Sequence, residues 1–116
     1  MIYTVQNGTR FYLVEQMQKG HVSLCKGHVE KDETELQTAE REIREETSLS
    51  VEIGRPVSMF DIIRNQIHLC IFTYAAVWTG GEVQLSKEHD GFLWLHKDEV
   101  EESELPHWMK RDIFRA

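Results

Sequence analysis

Residues 41–49 read REIREETSL, which places Glu42, Glu45 and Glu46 within two turns of a predicted helix. Carboxylates at positions i, i+3 and i+4 share one side of a helix, and the like-charge pair of Glu42 with Glu46 costs roughly a few tenths of a kcal/mol. A helix selected only for stability would avoid that pair. The stretch is therefore either an ordinary solvated face of salt bridges or a set of ligands for a cation.

The helix is predicted from about Thr34 to Thr47. Thr34 with Gln37 forms the pattern of a capping box at its start. At about 100° per residue, one side of the helix collects its least polar residues and should face the core. These residues are Leu36, Ala39, Ile43 and Thr47. The three glutamates lie on one flank of this stripe, beside the buried side rather than opposite it.

Strand-like runs precede and follow this helix. They span residues 2–5, 11–16, 22–25, 51–54, 57–63, 67–77 and 91–95. Turns are predicted at Asn7-Gly8, Asn65-Gln66 and Gly80-Gly81, and Pro56 is expected to interrupt the strands on either side of it. Two helical segments are predicted at the end, in residues 97–105 and 106–116. This order indicates a mixed α/β sandwich.

The length of 116 residues, with 41% hydrophobic and 28% charged residues, predicts one domain over residues 1–116 with a modest core. The net charge of −7 argues against nucleic-acid and anionic-membrane partners. An apolar run of about 18 to 20 residues is absent, so we expect neither a membrane span nor a leader sequence. Cys25 and Cys70 are expected to be buried free thiols of a cytoplasmic protein.

The segment before the helix has residues that suit phosphate. Lys26, the backbone amides around Gly27, and His28 could each bind a phosphate oxygen, although His28 could equally serve to fix the loop. The glutamates that follow offer the hard oxygen ligands that Mg²⁺ or Mn²⁺ prefers. Mg²⁺ usually completes its coordination shell with water and substrate phosphates. Together these residues indicate a polyphosphate bridged to the protein by a metal ion.

Gly27 is followed by five residues, then Glu33, then seven residues, and then REIREETSL. This spacing resembles the Nudix box of the Nudix (MutT-like) hydrolases. That box reads G-x5-E-x7-R-E-U-x-E-E-x-G-U, where U is aliphatic, and it covers residues 27–49 here. Ser48 is the one mismatch, since the family has glycine at this position. We expect a left-handed backbone at Ser48, a small structural penalty and retained chemistry.

The resemblance implies the α/β/α sandwich of the Nudix family with a mixed sheet, and it assigns roles to residues of the box. Glu42, Glu45 and Glu46 would hold Mg²⁺ or Mn²⁺ with the carbonyl of Gly27. Arg41 and Glu33 would orient the loop and the glutamates. Either Glu46 or Glu42 would accept the proton of the attacking water.

Two flanking stretches resemble the asymmetric diadenosine tetraphosphate hydrolases of this family. KGHVEKDE is similar to their PKGHVEPGE, with Cys25 in place of the proline, and LSKEHDGFLWL is similar to their LSxEHxxYxWL. The resemblance makes Glu88 a further metal ligand or base. It also makes Phe92 a candidate to stack on adenine, with Tyr74 or Phe72 on the neighbouring strand as a second wall. Aromatic residues in strands are more often part of the core.

The expected function is metal-dependent hydrolysis of a phosphoanhydride bond in a dinucleoside polyphosphate such as diadenosine tetraphosphate. The partner is then a small nucleotide, and the protein is expected to be a monomer or a homodimer. One alternative is a nucleotide-pool enzyme that acts on nucleoside triphosphates or nucleotide sugars. Another is a Nudix domain that binds a ligand without catalysis, although such domains typically lose glutamates that this sequence retains.

Overall fold

The computed structural model describes residues 1–17, 21–84 and 89–115. Its elements, in chain order, are β1 (Ile2–Gln6), β2 (Thr9–Met17), β3 (Val22–Ser23), α1 (Glu35–Thr47), β4 (Ser50–Arg64), β5 (Ile67–Gly80), β6 (His89–Leu95), α2 (Lys97–Glu102) and α3 (His107–Arg115). No helix within these residues combines the length and the apolar character that crossing a bilayer requires.

The six strands form one mixed sheet. β2 pairs antiparallel with β1, β3 and β6, while β4 pairs antiparallel with β5. The parallel contact joins β1 to β5 through Ile2 opposite Ala76 and Tyr3 opposite Val77. β4 therefore lies at one edge of the sheet. In the other half, β2 is the strand with which β1, β3 and β6 all pair.

Apolar side chains cover both faces of the sheet. On one face Ile43 of α1 packs with Ile2, Leu13 and Ala76 of the strands. On the other face α2 and α3 pack against β2, through the buried residues Val100, Met109, Ile113, Tyr12 and Val14. The predicted α/β/α sandwich with a mixed sheet is confirmed, and α1 stands alone on its face of the sheet within the described residues.

Two predicted turns are confirmed by their backbone angles. Asn7 and Gly8 have φ of 51° and 80°, and Asn65 and Gln66 have φ of 51° and 65°. Positive φ at both central residues gives a turn whose twist matches that of the flanking strands. Asn65-Gln66 therefore joins β4 and β5 as a tight hairpin without a glycine.

Pro56 does not divide the strand, contrary to the sequence prediction. β4 continues through it from Ser50 to Arg64, with shifts in register between Ile53 and Pro56 and between Pro56 and Ser58. β4 is an edge strand, so a residue without an N–H group is tolerated there at the cost of a local irregularity. The prediction failed because an edge strand can absorb a proline through a local shift in register without ending.

Two predictions of burial are wrong for the same geometric reason. Cys70 is exposed, although it is a free thiol as predicted, and Leu36 retains 43% of its accessible surface. Cys70 lies toward the hairpin end of β5, and Leu36 lies in the first turn of α1. The long β4–β5 hairpin and the start of α1 both extend past the packed part of the sandwich, whereas Ile43 and Thr47 are buried as predicted.

Both ends of α1 have well-formed caps. At the start, Thr34 Oγ1 accepts from the N–H of Gln37 at 3.1 Å, and the Gln37 side chain accepts from the N–H of Thr34 at 2.9 Å. At the end, Ser48 has φ 62° and ψ 13°, and its N–H donates to the carbonyl of Arg44. The capping box and the left-handed backbone expected at Ser48 are therefore confirmed.

Replacement of this serine by glycine (S48G) should stabilise the protein. Relief of the left-handed strain should stabilise the folded state by roughly 1–2 kcal/mol. Glycine also gives the unfolded chain more conformational freedom, which lowers the free energy of unfolding by about 0.4–1 kcal/mol. We expect the free energy of unfolding to rise by up to about 1.6 kcal/mol, the difference between these two effects, in urea denaturation followed by circular dichroism. S50G, in the extended backbone of β4, is the matched control and should be neutral or destabilising. Equal losses in the two variants would contradict strain at Ser48.

Candidate active site

A short loop before α1, residues 25–33, lies against the helix; we call it the glycine loop. Gly27 in this loop touches the side chain of Glu42, and a Cβ built on Gly27 would overlap the Glu42 carboxylate. A side chain at position 27 would therefore force the Glu42 side chain to move away from the loop. The Gly27 spacing seen in the sequence therefore reflects direct contact between loop and helix.

The side chain of Arg41 ties the glycine loop to the three glutamates of α1, which we call the acidic edge (Glu42, Glu45 and Glu46). Arg41 Nη1 donates to Glu42 Oε1 at 2.8 Å and to Glu45 Oε2 at 3.1 Å. Nη2 donates to the carbonyl of His28 at 3.2 Å. One guanidinium thus neutralises part of the repulsion along the helix and positions the loop.

Glu33 completes this arrangement from the loop side. Its carboxylate accepts from Arg41 Nε at 2.7 Å and from Arg41 Nη2 at 3.1 Å, which is a bidentate pair. The Thr38 hydroxyl donates to the same carboxylate at 2.6 Å. Hydrogen bonds from Arg41, followed by that from Thr38, lower the pKa of Glu33 to about 2, and the pairing raises the pKa of Arg41. Both groups stay charged at neutral pH.

The acidic edge is not uniform, because its members point to different surroundings. Glu42 and Glu45 both contact Arg41, and their side chains are 17% and 57% exposed. Glu46 instead accepts from the thiol of Cys25 at 2.6 Å and from the N–H of Lys26 at 3.2 Å, both at Oε2. The acidic edge therefore has two sides. On the outer side, Glu42 and Glu45 bind Arg41; on the inner side, Glu46 binds the start of the glycine loop.

A second carboxyl group, Glu15 on β2, lies beneath the inner side. Glu15 is 1% exposed, and ligand atoms of Glu15, Cys25 and Glu46 all lie within 4.8 Å of one another. Burial, followed by the negative charges of Glu46 and Glu42, raises the pKa of Glu15 to about 8. Burial is also the main cause that raises the pKa of the Cys25 thiol. Both groups are therefore mainly protonated at neutral pH.

Sequence reasoning missed Glu15, although β2 gives a signal. Side chains alternate between the faces of a strand, so Glu15 faces the same side as Leu13, which packs against Ile43 of α1. An acidic residue at an inward position of an apolar strand is unusual enough to suggest a site. The role of Cys25 could not be found in this way, because its contact with Glu46 joins residues 21 positions apart.

The remaining predicted site residues are placed around this centre. Lys26 and His28 are exposed on the glycine loop. Phe92 of β6 lies opposite Glu15 of β2, and is 40% exposed. Glu88 lies outside the described residues.

The aromatic residues of β5 are not on a strand next to Phe92, contrary to prediction. Phe72 and Tyr74 share the face of Ala76, which is the face that α1 covers. β6 pairs with β2, and β1 lies between β2 and β5. Phe92 and Phe72 therefore flank the site from opposite sides, because β2 and β1 separate their strands.

Comparison with known proteins agrees with this geometry. A family model described as the NUDIX domain matches residues 1–115. The asymmetrical bis(5′-nucleosyl)-tetraphosphatase of Mus musculus is 33% identical over 108 residues, which cover 86% of this chain and 74% of that protein.

Solved structures share the fold at lower identity. The C. elegans Ap4A hydrolase in a binary complex has a TM-score of 0.85 at 23% identity, covering 98% of this chain and 88% of that one. The NUDIX domain of Shewanella oneidensis NrtR, complexed with ADP ribose, has a TM-score of 0.76 at 16% identity, covering 97% and 81%.

The match thus extends over almost the whole chain and includes a relative above 30% identity. The glycine loop and the acidic edge lie where the residues of the Nudix box place them. We conclude that the chain belongs to the Nudix family of pyrophosphohydrolases.

Proposed function

We propose that this chain hydrolyses a phosphoanhydride bond in a dinucleoside polyphosphate such as diadenosine tetraphosphate, with Mg²⁺ or Mn²⁺ as its metal. The observation that carries this proposal is the acidic edge held against the glycine loop by Arg41. The similarity to asymmetrical bis(5′-nucleosyl)-tetraphosphatases supports the substrate class. Both cysteines are free, which suits a reducing compartment such as the cytoplasm.

The residues present fit a hard divalent cation. The Glu42 side chain lies against the backbone of Gly27, so a carboxylate of the acidic edge stands beside the glycine loop, whose carbonyl oxygens are further donors of the same kind. Oxygen donors of this kind suit Mg²⁺ and Mn²⁺. The residues that would hold the metal are Glu42, Glu45 and Glu46 with the Gly27 carbonyl. A bound divalent ion would neutralise phosphate charge and lower the pKa of a coordinated water.

The chain's own groups then have distinct tasks. Glu46, held at Oε2 by Cys25 and Lys26, accepts the proton of the attacking water, and Glu42 is the alternative acceptor. Lys26 and His28 are exposed beside the acidic edge, and we assign them to the phosphate oxygens. Arg41 acts on the glutamates and the loop rather than on the substrate.

The topology also supports a substrate with two bases. Three strand spacings of about 4.8 Å separate β6 from β5, or about 14 Å between strand axes, which is too wide for one base to contact both. We therefore assign one base to Phe92. The second belongs beside Phe72 and Tyr74 on β5. Phe92 and Phe72 are 40% and 36% exposed, so each leaves ring surface available for stacking.

Turnover should depend on the metal and on Glu46. With millimolar Mg²⁺ we expect diadenosine tetraphosphate to be cleaved in preference to ATP and nucleotide sugars, with no cleavage in excess chelator. In E46Q, kcat should fall by at least ~100-fold, the usual contribution of a general base. The measurement is chromatography of released nucleotides. E40Q, an exposed glutamate elsewhere on α1, is the matched control and should stay within about twofold of wild type.

Two results would contradict this proposal in different ways. Equal or faster cleavage of triphosphates or nucleotide sugars would reassign the substrate to the nucleotide pool. Binding of a nucleotide with no Mg²⁺-dependent cleavage would identify a ligand-binding Nudix domain instead. E42Q, assayed in parallel with E46Q at saturating Mg²⁺, shows which of the two carboxylates accepts the proton: the variant without the acceptor should lose the acidic limb of the pH profile of kcat.

Loss of the ring at position 92 should weaken substrate binding more than it slows the chemistry. In F92A we expect KM for diadenosine tetraphosphate to rise by about tenfold, since stacking on a base is worth roughly 1–3 kcal/mol. F114A is the control, because Phe114 on α3 is similarly exposed at 43% but belongs to the other helical layer. A change in KM that is equal in the two variants would exclude Phe92 as a base contact.

A further inference from the structure

The thiol of Cys25 makes a direct contact with a residue of the acidic edge. Its Sγ lies 2.6 Å from Glu46 Oε2, and the N–H of Lys26 reaches the same oxygen at 3.2 Å. An ionised carboxylate can only accept a hydrogen bond, so the thiol is the donor in this contact. Two donors from consecutive residues therefore converge on one oxygen of Glu46.

The hydrogen bond between Cys25 and Glu46 is a feature of this chain, because the loop sequence that it resembles has no cysteine at this position. Cys25 stands where the similar loop PKGHVEPGE has proline, whose side chain has no hydrogen-bond donor. The backbone bond from Lys26 does not depend on the side chain at position 25. The hydrogen bond from sulfur is therefore an added restraint on Glu46.

Glu15 explains why such a restraint is useful here. Its buried carboxyl group lies within 4.8 Å of ligand atoms of both Cys25 and Glu46. A second carboxyl group at this distance competes with the glycine loop for the Glu46 side chain, since a carboxyl oxygen can take part in a hydrogen bond. A donor fixed on Glu46 Oε2 opposes a turn of the side chain toward Glu15 and keeps the carboxylate at the glycine loop.

We propose that Cys25 is a positioning residue for Glu46, which it holds in place for catalysis by hydrogen bonding through its thiol. This inference rests on the proposed function, because it assumes that Glu46 binds the metal or accepts the proton. Cys25 does not touch the substrate in this proposal. Its effect should therefore appear in kcat and in the dependence on Mg²⁺, while KM for the nucleotide changes little.

The test compares C25A, C25S and C70A. In C25A we expect kcat to fall by about tenfold, the loss expected for one hydrogen bond to a charged group, with a higher Mg²⁺ concentration at half-maximal rate. C25S keeps a donor and should recover most of that loss. C70A removes the other, exposed thiol and should match wild type. Equal activity of C25A and wild type, or equally low activity of C25A and C25S, would overturn the proposal.

Mn²⁺ binding, measured by electron paramagnetic resonance of the free ion, separates this proposal from the proposed function. If no nucleotide is cleaved, the proposed function fails, but weaker Mn²⁺ binding in C25A with recovery in C25S still supports positioning by Cys25. Binding that is unchanged in C25A, or absent in wild type as well, overturns it.

Titration with Cd²⁺ distinguishes a donor from a ligand. We expect no thiolate-to-metal absorption band in wild type beyond that of C25A when Mg²⁺ is in excess. A band that is lost in C25A would make Cys25 a metal ligand and would also overturn its role as a donor.

Discussion

The guanidinium of Arg41 is the group on which the arrangement of this site depends. It lies between the glycine loop and α1, with donors directed at Glu33, Glu42 and Glu45 and at the carbonyl of His28. Without such a cation, the carboxylates would repel one another and the loop would lose its attachment to the helix. A rigid fork of donors can hold several oxygens at once, which a lysine ammonium cannot do with the same geometry.

The sheet beneath provides the second constraint. Ile43 and Leu13 join α1 to the strands, and this packing brings Glu15 of β2 under the inner side of the acidic edge. The acidic edge therefore has two environments. The Arg41 guanidinium lies on its outer side, and the Cys25 thiol and the Lys26 N–H, which are neutral donors, lie on its inner side. This division gives Glu42 and Glu46 different neighbours even though they are one helical turn apart.

The sequence predicted those parts of the fold that depend on interactions between residues close together in the chain. The capping box of Thr34 and the left-handed backbone at Ser48 follow from residues that are close in the chain. The box spacing also predicted that the loop would meet the helix, which the contact of Gly27 with Glu42 bears out. Cys70 and Pro56 were misjudged because burial and strand continuity depend on where the layers end. Glu15 and Cys25 were missed because their contacts with Glu46 form only when β2, the loop and α1 come together.

The most direct test is a crystal structure with Mn²⁺ and a non-hydrolysable dinucleoside polyphosphate, in which anomalous scattering locates the ion. We expect an anomalous peak within about 2.5 Å of the carboxylate oxygens of the acidic edge and of the Gly27 carbonyl, in contact with the phosphate chain. A peak elsewhere, with Glu42 and Glu46 directed into solvent and without a metal, would contradict the central claim that this edge and this loop form one cation site.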